Sequence, residues 1–138
     1  MTPVVCDAST VVAMLLDGGP DGAWAARAMR GAPLRAPALL PFEAAEIIRR
    51  QEAAGVVSAD QAAQAHGDLL DLAVELWPHR LLAERVRELR PVLDAHDASY
   101  VALAELLAAT LVTLDRRILA APGTRCAIAT PELRRRPP

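Results

Sequence analysis

Four acidic residues stand where a fold could put them to chemical use. Asp7 ends the apolar run Val4-Val5-Cys6 and is followed by Ser9 and Thr10 at the start of a helical pattern. Asp115 ends a second apolar stretch, Thr110-Leu111-Val112-Thr113-Leu114. Glu43 and Asp97 fall in the first turns of two expected helices, where a carboxylate interacts favourably with the helix dipole. Short apolar runs of this kind read as buried strands, and in open parallel α/β sheets ligands bind outside the carboxyl ends of the strands. If the strands that deliver Asp7 and Asp115 are neighbours, as a doubly wound order with its switch point between them makes them, all four acids converge on one edge. Four carboxylates cannot stay ionised together in a partly dry pocket without cations, because like charges drive their pKa values up. A divalent metal answers this, and all-oxygen ligation favours Mg²⁺ or Mn²⁺ over zinc, which prefers Cys and His. Such a site can activate water and stabilise an in-line displacement at a phosphodiester.

Each acid also has a plainer reading. Asp7 could simply cap the next helix, a task open to Ser9 and Thr10 as well. Glu43 could serve only the helix dipole, and Asp97 could accept the backbone N–H of Asp94 in a reciprocal cap. Glu46 shares a face with Glu43 and lies four residues before Arg50, a favourable ion-pair spacing that makes it a solvated salt bridge. His66 is expected on an exposed helix face, and His96, although next to Asp97, reads as a loop bystander.

The elements that must position these residues follow from periodicity and punctuation. A short helix over Thr10 to Leu16 is broken by Gly18-Gly19-Pro20, and Asp21 opens a second through about Arg30. Leu34-Arg35-Ala36 is a short strand, Pro41 starts the helix that carries Glu43 through Ala54, and Gly55 closes it. Ser58 and Gln61 form a capping-box pattern for a helix running to about Val74. Glu75 to Arg80 reads as an edge strand, since Pro78 cannot donate to a ladder, and Leu81 to Arg90 as a solvated helix. Asp94 caps the helix Ala98 to Ala109, which is nearly apolar all round and therefore deeply packed. Asp97 at its start is then partly buried, where an unpaired charge is costly. A helical turn over Arg116 to Ala120 and a last strand near Cys126 to Ala129 complete the pattern.

With 138 residues, 53% of them apolar, the chain suits one compact domain. No basic leader with a cleavage site is visible, and no stretch reaches about 18 uninterrupted apolar residues, so a soluble, cytoplasmic protein without membrane contact is expected. Cys6 and Cys126 lack metal-binding spacing and read as small buried hydrophobes, about 9 to 10 Å apart if their strands are separated by one other. All 15 cations are Arg, and with four acids committed to a site they face 13 others (17 minus 4) on a mildly basic surface. A GC-rich coding sequence explains this Arg bias as readily as phosphate recognition does. The absence of Lys excludes a Walker-type phosphate loop and Schiff-base chemistry.

Four segments in order, VVCDASTVVAMLL around Asp7, APALLPFEAAEIIRR around Glu43, LDAHDASYVALAE around Asp97 and LVTLDRRIL around Asp115, resemble the PIN-domain ribonucleases, and among them the VapC-type toxins of bacterial toxin–antitoxin pairs. The resemblance covers nearly the whole chain. It implies a three-layer α/β/α PIN-like fold with a central, mostly parallel four- to five-stranded sheet over residues 1–132, while the run Arg134-Arg135-Arg136-Pro137-Pro138 itself reads as a frayed tail at 133–138. It further implies a Mg²⁺- or Mn²⁺-dependent endoribonuclease acting on structured RNA of the tRNA or rRNA class, a homodimer, and inhibition by a cognate VapB-like antitoxin. Asp7, Glu43, Asp97 and Asp115 match the family's catalytic and metal-binding acids, and Ser9 and Thr113 the hydroxyls that support them. Glu46 departs from the pattern, standing where relatives usually carry Asn, and Arg117 stands where some carry a further Asp. Arg49, Arg50, Arg116 and Arg117 flank the acids and are candidate RNA contacts. The apolar first helix, Val11 to Leu16, would suit the dimer interface. A haloacid-dehalogenase-like phosphatase would need a second Asp where Ser9 stands, and a receiver domain would need a Lys. The remaining rivals are a PIN-like domain that only binds RNA or protein, and a metal-dependent phosphatase.

Overall fold

The computed structural model describes residues 2–132. The frayed tail expected at 133–138, with Arg134, Arg135 and Arg136, lies outside them. Five strands, β1 (Val4–Cys6), β2 (Leu34–Pro37), β3 (Val74–Trp77), β4 (Thr110–Val112) and β5 (Ile128–Ala129), form one sheet in the order β3-β2-β1-β4-β5. Every pairing is parallel. The chain leaves β1 toward β2 and β3, then returns to β4 on the other side of β1, so the switch point lies between β1 and β4, as the two strand-end acids required.

Parallel strands need crossover helices, and right-handed crossovers dictate which face each covers. Helices α1 (Ala8–Leu16), α2 (Pro20–Met29), α3 (Leu40–Ala53) and α4 (Ala59–Asp71) belong to the leftward crossovers and pack on one another. The return crossover carries a 3-10 turn (His79–Leu81), α5 (Ala83–Glu88) and α6 (Ala95–Leu107), with α6 lying against β1, β2 and β4. A short α7 (Arg116–Ala120) links β4 to β5. The two layers bury the central strands on both sides: Val5, Cys6, Leu111 and Val112 are core residues, and so are Ala98, Val101, Leu103 and Ala104 of α6.

Local chemistry explains the boundaries. Asp7 caps α1 two residues earlier than expected, and the Ser58–Gln61 capping box is fully formed at α4. Gly55, at φ +73°, adopts the left-handed conformation that ends α3 without a Cβ penalty. β3 is an edge strand as expected, with Pro78 just beyond it. The helix expected over Leu81 to Arg90 is shorter and is preceded by the 3-10 turn. Arg85 anchors it, pairing with Glu105 at 2.8 Å and donating to the Gly123 carbonyl at 2.7 Å. Of the stretch offered for an interface, Val11, Val12 and Ala13 are buried under α2, α3 and α4, while Met14, Leu15 and Leu16 stay partly exposed. No helix among the described residues is long and apolar enough to cross a membrane. Cys6 is buried and Cys126 half-buried, both as free thiols.

Candidate active site

Asp7 is the first residue beyond β1 and the N-cap of α1, so its backbone is fixed by two elements at once. Its Oδ1 accepts the Thr10 N–H at 2.9 Å, the Thr10 hydroxyl at 2.7 Å and the Ser9 hydroxyl at 2.9 Å. Its Oδ2 accepts the Thr113 hydroxyl. That contact follows from register: Cys6 pairs with Val112, so the next residues of β1 and β4 stand level. Capping and site placement are therefore not alternatives, because one oxygen caps the helix while the other faces the neighbouring strand. Thr10 joins Ser9 and Thr113 as a support. Its position three residues after an N-cap was the available signal.

Asp115 comes three residues after the end of β4 rather than at its tip, and it caps α7. Its N–H donates to Thr113 Oγ1 at 2.9 Å, so one buried hydroxyl links the two strand-end acids. The carboxylate is held by Arg117: Oδ1 accepts the Arg117 N–H at 2.9 Å and Nε–H at 3.1 Å, and Oδ2 accepts Nη2–H at 2.6 Å. That guanidinium holds Asp115 below the usual carboxylate range.

Glu43 lies in the first turn of α3, and its partners come from α6. The Tyr100 hydroxyl donates to its Oε1 at 2.7 Å, and His96 Nδ1 stands 3.4 Å from its Oε2. Dipole stabilisation is thus not its only role. Tyr100 is a residue that sequence reasoning missed; it sits one helical turn after Asp97 on the same face. Burial, and then the bond to Glu43, pushes its phenol well above the ordinary range.

Asp97 differs from the other three. Its N–H donates to Asp94 Oδ1 at 2.8 Å. The reciprocal contact of its own carboxylate with Asp94 is not made, and among the described residues no hydrogen bond reaches that carboxylate. Burial, followed by repulsion from Asp94, Asp115 and Glu43, pushes its pKa up to about 6 against the pull of Arg117. The Tyr100 hydroxyl feels both Glu43 and Asp7. Asp97, Asp115 and Glu43 therefore share one electrostatic neighbourhood, to which Tyr100 links Asp7.

The flanking arginines divide. Arg49 forms a two-point pair with Glu46, at 2.9 and 2.5 Å, while Arg50 is 3.6 Å from the same carboxylate. The closer ion pair thus spans three residues rather than the four expected. All three side chains are exposed, as is that of Arg117. Arg116 instead turns away and donates to the Pro131 carbonyl. His66 is exposed, as anticipated.

The PIN domain family model matches residues 4–123. The chain belongs to the PIN-domain family, in its VapC ribonuclease branch. Ribonuclease VapC12 of Mycobacterium tuberculosis is 34% identical over 120 residues, covering 87% of this chain and 92% of that protein. Ribonuclease VapC9 of the same species is 37% identical over 125 residues, with 91% and 95% covered. Among solved structures, PAE2754 from Pyrobaculum aerophilum aligns with a TM-score of 0.67 at 26% identity, over 92% of this chain and 83% of that one. VapBC2 from Rickettsia felis, solved bound to a DNA fragment from their promoter, shares the fold with a TM-score of 0.65 at 13% identity, over 94% and 98%.

As a PIN domain, the chain presents a donor set made of carboxylate oxygens backed by hydroxyls, which suits a hard divalent cation. Asp97 carries the uncompensated charge, and Asp7 Oδ2 keeps a lone pair beyond its bond to Thr113. Among the described residues no three His, Cys, Asp or Glu side chains already stand in metal-holding geometry. Glu43 is turned to Tyr100 and Asp115 to Arg117. The clefts beside this PIN-domain edge, one of about 510 Å³ lined by Ser9, Leu114, Asp115, Arg116 and Arg117, are open surface features. An open edge suits a polymer lying across it better than a small molecule enclosed by it.

Proposed function

We propose that this chain is a Mg²⁺- or Mn²⁺-dependent endoribonuclease, the toxin of a toxin–antitoxin pair, which cleaves structured RNA of the tRNA or rRNA class. The observation that carries the reading is the uncompensated carboxylate of Asp97, next to Asp115 and Glu43 at the switch point of a PIN-domain sheet. Asp7, Asp97 and Asp115 would hold the cation, with Glu43 binding it directly or through water. A bound divalent ion supplies charge stabilisation at the phosphodiester and lowers the pKa of water.

The residues of the chain do the rest. Ser9, Thr10 and Thr113 lock Asp7 in one orientation, so that no ordering is needed when the substrate arrives. Tyr100 fixes one oxygen of Glu43, and the other has His96 Nδ1 3.4 Å away. Exposed Arg49, Arg50 and Arg117 meet backbone phosphates, while Arg116 shapes the loop through Pro131. The products carry 5′-phosphate and 3′-hydroxyl ends. The relatives named VapC ribonucleases support a cognate VapB-like antitoxin as partner, and the cytoplasm is the working compartment in this reading. A homodimer is part of the same reading; Phe42, 80% exposed beside Glu43, is a side chain that a second copy would cover.

The Arg117–Asp115 pair favours a second reading, a PIN-like domain that binds RNA without cutting it. Chelator-stripped protein incubated with RNA, with and without Mg²⁺ or Mn²⁺ and beside Asp97→Asn, decides between them. Metal-dependent cutting that the variant loses supports the nuclease. RNA retained intact by a metal-loaded protein supports the binding domain.

A further inference from the structure

We infer that Arg117 is the site's built-in counter-cation, whose guanidinium occupies the Asp115 carboxylate until a divalent ion displaces it. The inference rests on the metal-site reading above and goes beyond it, because it concerns what the metal must compete with. Asp7 is held by neutral hydroxyls and a backbone N–H, and Glu43 by a phenol with a histidine nearby. Asp115 is held by a permanent cation. Its Oδ1 has both lone pairs occupied, by the Arg117 N–H and Nε–H, and its Oδ2 takes Nη2–H. Two donors of one guanidinium thus reach the two oxygens of one carboxylate, a geometry that Lys cannot reproduce.

The contact can also open without moving the fold. Arg117 is two residues from Asp115, its side chain is 83% exposed, and its backbone N–H keeps capping α7 when the side chain rotates away. A guanidinium does not lose its proton in proteins, so release is by rotation. Asp97 and Asp94 lie on the same side and attract the guanidinium while no cation neutralises them. Once a divalent ion balances the acids, that attraction is gone, and the freed guanidinium stands at the rim among the other exposed arginines. One residue thereby balances the charge of the metal-free site and offers a cation to an RNA phosphate in the loaded one. Because exposed ion pairs are weak, the gate is soft, and a modest effect on affinity is the expected signature.

Mn²⁺ affinity of chelator-stripped protein, read by the loss of the free-ion electron paramagnetic resonance signal, tests this with Arg117→Ala and Arg117→Lys beside the parent. Arg117→Ala should bind Mn²⁺ about five-fold more tightly. Arg117→Lys, which keeps the charge but not the fork, should also bind more tightly than the parent. Equal affinity for Arg117→Lys and the parent would attribute the effect to repulsion through space and overturn the displacement; equal affinity for all three would overturn it entirely. Failure of every protein to bind Mn²⁺ would remove the metal-site reading together with the inference. A second readout follows the side chain itself. The Nε–H resonance missing from the Arg117→Lys spectrum should move to the position of free arginine as Mg²⁺ is added to the parent, and a resonance that stays put at saturation would also overturn the displacement.

Discussion

Asp7 and Asp97 reach the same edge of the sheet in opposite states. Asp7 is 6% exposed, and hydroxyls and a backbone N–H satisfy it from two elements. Asp97 is half-buried just ahead of the core stretch Ala98 to Ala104 of α6, and other acids press on its carboxylate. The first is built into the fold, while the second is tolerated by it. A site assembled this way separates the acid that fixes geometry from the acid that stores unbalanced charge, and the two should fail differently when replaced.

The largest separation is expected in paired measurements of activity and stability. Asp97→Asn should lower RNA cleavage by on the order of a hundred-fold or more, the scale seen when an electrostatic partner of the transition state is removed. The same change should raise the urea midpoint of the metal-free protein at pH 7, because it removes a charge that the site repels. Asp7→Ala should also abolish cleavage but destabilise the fold by about 3 kcal/mol, from a lost helix cap and stranded buried hydroxyls. Equal stability losses for the two variants would erase the distinction between them.

Thr113→Val probes the link between the strand-end acids. The valine has the same shape but neither donates to Asp7 nor accepts from Asp115, so a loss of about 1–3 kcal/mol is expected in denaturant unfolding. Thr113→Ser keeps the hydroxyl and should recover most of that loss. A valine variant as stable as the parent would show that the hydroxyl link carries no weight, and a serine as damaging as valine would show that the packing of the methyl group matters as much as the hydroxyl.

How much of this was readable beforehand depended on the range of the interaction. Asp7, Asp115 and the Asp94 cap were legible because each rests on a local pattern, an apolar run ending in an acid or an acid opening a helix. The switch point followed once two such runs were required to be neighbours. Tyr100 was not legible as a partner of Glu43, since the two are 57 positions apart and meet only when α3 and α6 flank the same edge. The apolar stretch of α1 was only half legible for a similar reason: periodicity marks a face to be covered without saying whether the cover is another helix of the chain or a second copy. Arg117 was visible as a cation near the site, but its commitment to Asp115 depended on a rotamer.

The pH dependence of stability sharpens the comparison further. Burial first, and then repulsion from Asp94, Asp115 and Glu43, raises the pKa of Asp97 from its ordinary value of 3.8 to about 6, with Arg117 opposing. Between those values the folded state binds more protons than the unfolded one, so this contribution favours folding below about pH 4 and is lost as pH rises through 6. Metal-free protein should therefore lose stability across that window, and Asp97→Asn should flatten the loss. Unfolding midpoints at pH 4, 5, 6 and 7 provide the check. An unchanged slope in the variant would place the titration on another group.

The smallest effect concerns Glu46, whose exposed pair with Arg49 matches in form the exposed pair between Asp115 and Arg117. Both acids hold an arginine by two donors, yet Glu46 belongs to the outer surface of α3 and has no other acid pressing on it. Exposed pairs of this kind contribute little to stability, so Glu46→Gln should leave the unfolding midpoint almost unchanged. What it should alter is the availability of Arg49 and Arg50 to a polyanion. Each additional phosphate contact steepens the dependence of log K on log salt by about 0.7 to 0.9, so RNA binding by the variant should be tighter at low salt and fall more steeply as salt is added. If the slope matches that of the parent, Arg49 and Arg50 do not reach the phosphates, and the RNA path leaves the acid edge along α7 and Arg117 instead of along α3.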